Sequence, residues 1–296
     1  MADHAEDDFD GDIFIYRGGR APQHISHARI DESVDEIEDN AFGDCKHLVH
    51  VETHDSIRRI GKWAFDNCTS LPWIDIKSVV EIDKLAFYNN KNLESVEFGD
   101  RLETIGQNAF LGCASLERLK LPSIITIGKS AFDYCIHLVD AELSERLETI
   151  EVNAFHRCDD LKRIAIPLKR DLFSFNNILR LYNQFDGCED LITVDLVGGI
   201  HETVASLHME SWRTELFAEI NRINQVLPGK YDYEKTDTIS LWIEPLFDKL
   251  DHYKYEHNRY VKEGTILLEL ALWKAKLGEK EECSVDLRRE NLRRPR

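Results

Sequence analysis

The 296-residue sequence predicts an α/β solenoid of short parallel strands joined by tight turns, followed by an α-helical C-terminal region. Three recurrences carry the prediction. A phenylalanine returns at Phe42, Phe65, Phe87, Phe110, Phe132, Phe155 and Phe185, every 22 or 23 residues until a last spacing of 30. Six of the seven cysteines stand three residues after it, at Cys45, Cys68, Cys113, Cys135, Cys158 and Cys188, and Asn90 takes the slot in the third unit. A leucine stands six after it in every unit: Leu48, Leu71, Leu93, Leu116, Leu138, Leu161 and Leu191. Units this short cannot bury their own apolar side, so neighbours must stack into one continuous core.

The elements follow in chain order. Residues 1–12 are acidic and expected to be disordered. Ile13–Tyr16 is expected as a capping strand, and Ile25–Ile30 as a truncated leading repeat before about seven full ones, the solenoid running over residues 13–200. Within each repeat, Leu-x-x-apolar-x-apolar ends in period-2 alternation, as in Leu116, Leu119 and Leu121, which predicts a strand with one face buried. Ala-Phe-x-x-Cys-x-x-Leu has helical spacing and predicts a short helical turn with Phe, Cys and Leu inward. The long last spacing holds Leu172, Phe175, Ile178, Leu179 and Tyr182 at helical intervals, an expected inserted helix.

Past Gly198-Gly199 the period stops. A stripe at Val204, Leu207, Trp212, Leu216, Ile220, Ile223 and Leu227 predicts one helix, ended by Pro228-Gly229. A second is expected over about 237–257, kinked or restarted near Pro245, and a third over about 258–277, ended by Gly278. The helical region is thus 201–278, and the Arg-rich tail 279–296 is expected to be unstructured.

The run Ile105-Gly106-Gln107-Asn108-Ala109-Phe110-Leu111-Gly112-Cys113-Ala114-Ser115-Leu116-Glu117-Arg118-Leu119-Lys120-Leu121-Pro122 closely resembles the BspA-type leucine-rich repeat. The resemblance covers about residues 25–200 and implies a leucine-rich-repeat solenoid whose members act as adhesion, recognition or scaffold surfaces. The segments His201–Trp212 and Leu268–Leu277 resemble the helical extension of a subgroup found in unicellular algae, which implies an intracellular protein with no catalytic residues.

Bulk composition excludes other classes. A formal net charge of -18 argues against nucleic-acid binding, which needs a basic footprint, and favours basic partners. No apolar run approaches the roughly 18 residues of a membrane span, and the acidic N-terminus lacks the apolar core of a secretory signal. A cytoplasmic or nuclear location with reduced thiols is expected.

The cysteine column reads as packing, a small side chain filling a buried slot in each turn, because Asn90 could replace neither partner of a disulfide and the spacing lacks the close Cys-x-x-Cys pairs of zinc sites. Cys45, His47, His50 and His54 crowd one repeat, but the register sends Cys45 inward and His50 outward, so no metal site is expected. Neighbouring Glu52 and Asp75 imitate a glycosidase pair without a deep pocket or a raised pKa.

The outward strand positions form two rows. Eight after Phe stand His50, Trp73, Ser95, Arg118, Asp140, Arg163 and Thr193; ten after stand Glu52, Asp75, Glu97, Lys120, Glu142, Ala165 and Asp195. Stacked carboxylates at about 4.8 Å per strand are expected to repel, a cost that a basic ligand would relieve. Trp73 is the exposed aromatic anchor of that surface. The expectation is a non-enzymatic protein–protein interaction module without cofactor, binding a basic protein or peptide on the concave face through Glu52, Trp73, Asp75, Glu97, Asp140 and Glu142. The alternatives are a scaffold that self-associates through its C-terminal helices, with Trp242, Trp273 and the leucines around Leu268 as contact face, and a cell-surface adhesin.

Overall fold

The computed structural model describes residues 9–10, 12–173, 183–197 and 209–291. Its strands, in chain order, are β1 (Phe9–Asp10), β2 (Ile13–Tyr16), β3 (His27–Ile30), β4 (Glu36–Ile37), β5 (His50–Glu52), β6 (Arg59–Ile60), β7 (Trp73–Ile76), β8 (Glu81–Ile82), β9 (Ser95–Phe98), β10 (Thr104–Ile105), β11 (Arg118–Lys120), β12 (Thr126–Ile127), β13 (Asp140–Glu142), β14 (Thr149–Ile150), β15 (Arg163–Pro167) and β16 (Thr193–Val197). The helices are α1 (Met209–Val226) and α2 (Asp232–Asn291). The result is a parallel solenoid followed by two helices.

Each turn contributes two strands rather than one. The longer strands follow the Leu-x-x-apolar-x-apolar pattern and form a parallel wall in three sheets, with β1 antiparallel on β2 at the N-terminal end: β1-β2-β3-β5, β7-β9 and β11-β13-β15-β16. Six two-residue strands carry the isoleucine five before each of the first six Phe and pair in the order β14-β12-β10-β8-β6-β4. Their registers place Ile37, Ile60, Ile82, Ile105, Ile127 and Ile150 in one buried column.

The core is a set of such columns. The seven Phe rings stack from Phe42 to Phe185 with centroids 5.0, 5.1, 4.9, 5.3, 5.4 and 5.8 Å apart. That spacing is close to the ~4.8 Å between hydrogen-bonded strands, so one side chain per turn fills the column without a gap. Tyr16 begins the stack, 5.0 Å from Phe42, and its hydroxyl accepts the Glu38 N–H at 3.2 Å.

The expected helical turn at Ala-Phe-x-x-Cys does not form. Successive bonds from residue i to i−3 replace it, such as Cys45 N–H to Phe42 O and Leu48 N–H to Cys45 O, both 3.0 Å. Residues two before and two after Phe adopt the left-handed conformation, as at Asn40 (φ 58°) and Asp44 (φ 63°), and no α-helix tolerates that alternation. It turns amides along the stack instead: Asn40, Phe42 and Asp44 donate to Lys62 O, Ala64 O and Asp66 O of the next turn at 2.9, 2.6 and 2.8 Å. Spacing of three, six and nine fits a chain of tight turns as well as a helix, which is why the pattern alone misled. The helix expected around Phe175, Ile178, Leu179 and Tyr182 lies outside the described residues, as do residues 1–8; Phe9–Asp10, within the stretch expected to be disordered, form a strand.

The chain divides into two units, one of residues 1–203 and 214–247, the other of 204–213 and 248–296. In the first, the helices close the last repeat. Phe185 N–H, which in earlier turns donates to the next repeat's alanine carbonyl, donates to Thr236 Oγ1 at 3.2 Å, and Gly187 N–H donates to Asp232 Oδ2 at 3.1 Å. Lys235, buried, donates from Nζ to Cys188 O and Glu189 O at 2.7 and 2.6 Å. Ile239, Trp242, Ile243 and Leu246 are buried in this unit. Their packing holds α2 together through Pro245, where the sequence predicted a kink or restart; the helix also passes Gly278 without a break. In the second unit, Trp212 lies 5.4 Å from Tyr253, and Leu267, Leu268, Leu270 and Trp273 are exposed. No described helix is long and apolar enough to cross a membrane.

Candidate binding surface

The longer strands alternate inward and outward side chains, and their registers set the outward ones in rungs. In the first row His27 lies beside His50, Trp73 beside Ser95, and Arg118, Asp140, Arg163 and Thr193 follow one another. In the second, Arg29 lies beside Glu52, Asp75 beside Glu97, and Lys120, Glu142, Ala165 and Asp195 follow one another. The phase set by the cysteines therefore places Glu52, Trp73, Asp75, Glu97, Asp140 and Glu142 on one wall.

Trp73 is 42% exposed, although an indole usually seeks burial. Its ring is tilted against His50 at 5.6 Å, and His50 lies 6.2 Å from His27. Three rings thus make a continuous aromatic strip over three rungs. Sequence reasoning missed His27 and Arg29, because the leading partial repeat has no Phe to count from. Aligning Ile25–Ile30 on the later strands would have found both.

The expected repulsion along the acidic row is not what the geometry gives. Arg29 donates to Glu52 at 2.6 Å; Lys77 lies 3.1 Å from Asp75 and 3.8 Å from Glu97; Lys120 lies 3.9 Å from Glu142. Arg163 bridges Asp140 and Asp195 at 2.9 and 2.6 Å. These carboxylates lift the Lys77 ammonium and the Arg163 guanidinium above their ordinary pKa values, chiefly through the hydrogen bonds that these two cations donate to Asp75 and Asp140. The row is acidic in sequence, and each of its carboxylates has a cation within 4 Å.

The other sequence candidates separate. Cys45 is buried and donates to Pro22 O at 3.6 Å, His54 bonds Asp31 O at 3.0 Å, and His50 faces Trp73, so the crowded repeat does not converge. Among the described residues no group of three His, Cys, Asp or Glu is spaced to hold a metal ion. Trp242, expected on a contact face, is buried, whereas Trp273 and Leu268 are exposed.

The wall is interrupted once more in a way the sequence did not announce. No ladder joins β9 to β11, and a cavity of about 530 Å³ opens there, lined by Lys77, Ser95, Val96, Glu97, Phe98, Gly99, Asp100, Arg118, Lys120 and Pro122.

Comparison with known proteins agrees with this architecture. A T. pallidum leucine-rich-repeat protein is 29% identical, with a TM-score of 0.52 over 60% of this chain and 82% of its own. A leucine-rich cell-surface protein of Faecalibacterium prausnitzii is 23% identical, with a TM-score of 0.38 over 59% of this chain and 61% of its own. A Bacteroides ovatus leucine-rich-repeat protein is 22% identical, with a TM-score of 0.37 over 58% and 61%. No curated protein matches significantly. The model of the BspA type leucine rich repeat region matches in 6 copies over residues 21–126 and 71–192, more than half of the sequence. The chain belongs to the BspA-type leucine-rich-repeat family.

Proposed function

We propose that the protein is a non-enzymatic interaction module that docks a protein or peptide segment across the strand wall, with Trp73 as anchor and Glu52, Asp75, Glu97, Asp140 and Glu142 as its polar contacts. The observation that carries this reading is the strip of exposed Trp73, half-buried His50 and exposed His27 set among partly exposed ion pairs. Desolvating a central tryptophan under a partner is worth about 2 kcal/mol or more, and exposed ion pairs are worth about 0–1 kcal/mol each. An incoming Lys or Arg therefore displaces Arg29, Lys77 or Lys120 at small cost. The net charge of -18 steers basic partners toward the molecule from beyond contact range.

Buried, unpaired column thiols need no oxidising compartment, and a cytoplasmic or nuclear site of action is part of the proposal. The exposed Leu267, Leu268, Leu270 and Trp273 favour a second reading, self-association through α2.

Panning a displayed random-peptide library on the full chain tests the first reading. Expected are Lys/Arg-containing binders that Trp73→Ala weakens at least about tenfold, the 1.4 kcal/mol step of a modest hot spot. The triple charge reversal of Glu52, Asp75 and Glu97 to Lys should abolish their binding with the thermal transition nearly unmoved. Binders indifferent to both variants would place the site elsewhere.

A further inference from the structure

The cavity between β9 and β11 lies at one of the two places, β5–β7 and β9–β11, where the wall stops being a continuous sheet. The chain leaves β9 through Gly99, whose missing side chain lets it press onto the Lys77 backbone; a Cβ there would stand 1.8 Å from Lys77 O. Pressed toward β7 on that side, the strand has no ladder to β11 on the other. The space left is within the ~300–1,000 Å³ range of ligand pockets. Val96 and Phe98 give it an apolar floor.

Two of its cations, Arg118 and Lys120, are not spent as the other cations of the wall are. Arg29, Lys77 and Arg163 each hold a carboxylate at 3.2 Å or closer. Lys120 is 76% exposed and only 3.9 Å from Glu142. Arg118, exposed on β11, has no ion-pair partner among the described residues. Two carboxylates also line the cavity: Glu97, already 3.8 Å from Lys77, and Asp100, which follows the C-terminal end of β9, whereas Arg118 begins β11. The cavity therefore offers an uncommitted guanidinium in the first row and, two residues on in the second, a loosely held ammonium, on a protein of net charge -18.

We propose that the β9–β11 split is a carboxylate-binding subsite of the wall, in which Arg118, assisted by Lys120, takes the Asp or Glu side chain of a docked peptide. A guanidinium suits this task because its planar fork meets a carboxylate with two parallel N–H···O bonds. An adjoining apolar side chain of the peptide would rest on Val96 and Phe98. The role in peptide docking rests on the reading of the wall given above; the carboxylate site itself does not. Arg118 lies two rungs beyond Trp73, about 10 Å or a little more at ~4.8 Å per rung. An extended peptide rising ~3.3 Å per residue therefore puts the acidic residue about three positions from the one that covers Trp73. The partner is basic over the first rungs and acidic at one defined position.

The test titrates the full chain with N-acetylglutamic acid α-amide, whose only carboxylate is the side chain, at constant ionic strength, and follows the Arg118 Nε–H by NMR. A saturable shift is expected in the wild type, at least about tenfold weaker binding in Arg118→Gln judged by the Lys120 and Gly99 amides, and an unchanged response in Trp73→Ala. A non-saturating shift, or saturation unaltered in Arg118→Gln, overturns the subsite. Equal or tighter binding of N-acetylglutamine, which carries only the α-carboxylate, overturns its assignment to a side chain. Saturation at Arg118 alongside library binders indifferent to Trp73 would leave the subsite standing and sink the docking reading; the reverse pair of results would do the opposite.

Discussion

Asn90 donates its side-chain amide to the Phe65 carbonyl at 2.7 Å. Five of the six cysteines of the same column make the same bond to the Phe of the preceding turn: Cys68 to Phe42 O at 3.1 Å, Cys113 to Phe87 O at 3.2 Å, Cys135 to Phe110 O at 3.3 Å, Cys158 to Phe132 O at 3.2 Å and Cys188 to Phe155 O at 3.0 Å. The slot thus asks for a small side chain with one hydrogen to give, which a reduced thiol meets better than any apolar residue of its size.

Asn90→Cys should stabilise the protein. The amide fills the slot with a second polar atom, Oδ1, that is buried and finds no partner. Leaving such a group unsatisfied costs about 1–3 kcal/mol, against a somewhat weaker S–H donor in exchange. Urea unfolding is expected to show a gain of about 1 kcal/mol at unchanged m-value. A loss would mean that the slot is shaped around the amide.

The column thiols should resist alkylation in the native protein. Burial pushes the Cys45 thiol up to about 11 and raises those of Cys68, Cys113, Cys135 and Cys158, so almost no thiolate exists at neutral pH. Iodoacetamide at pH 8, followed by peptide mass mapping, is expected to label them only once denaturant is added. Rapid labelling of Cys113 without denaturant would contradict the packing described.

Lys235→Met should loosen the C-terminal end of the solenoid. It removes the donor from the Cys188 and Glu189 carbonyls, and burial of the lysine, which lowers its pKa, shows how little water is at hand to replace it. A loss of about 1–3 kcal/mol is expected, with hydrogen exchange accelerated first at Phe185 and Gly187. Uniform acceleration from Tyr16 to Val197 would argue instead for global unfolding without a local cap.

His156 makes stability depend on pH. Its Nδ1 lies 2.7 Å from Asp133 Oδ1 in a largely buried pair, and that hydrogen bond raises the imidazole pKa above its ordinary 6.5. A proton held more tightly when folded stabilises fully below the unfolded pKa and is lost as pH rises through the folded one. The stability difference between wild type and His156→Gln should therefore be larger at pH 5.5 than at pH 9. A difference that grows with pH would reverse the assignment.

Much of this was legible because a repeat multiplies its own signal. One phase, read from Phe42 and Cys45, sorts Glu52 and Trp73 outward and Leu48 and Val51 inward, and six later copies repeat the sorting. What stayed illegible depends on contacts between turns. Asn40 and Asp44 adopt left-handed backbone because their amides pair with the next turn, information held in no single unit. Lys77, two residues after Asp75, bridges that residue and Glu97 from outside the counted rows. Pro245 reads as a helix break until the burial of Trp242, Ile243 and Leu246 is known.

The hydroxyl of Thr236 and the carboxylate of Asp232 accept the same two amides that another repeat's backbone would have accepted. Stacked turns present a template on which a further copy of the chain could polymerise end to end, as exposed strand edges do in fibrils. Side chains that imitate the missing turn occupy the template with groups that offer no further edge. At the opposite end, the short antiparallel β1 lies on β2, where parallel growth would otherwise continue. Parallel addition of a further turn is thus obstructed at both ends of the described stack.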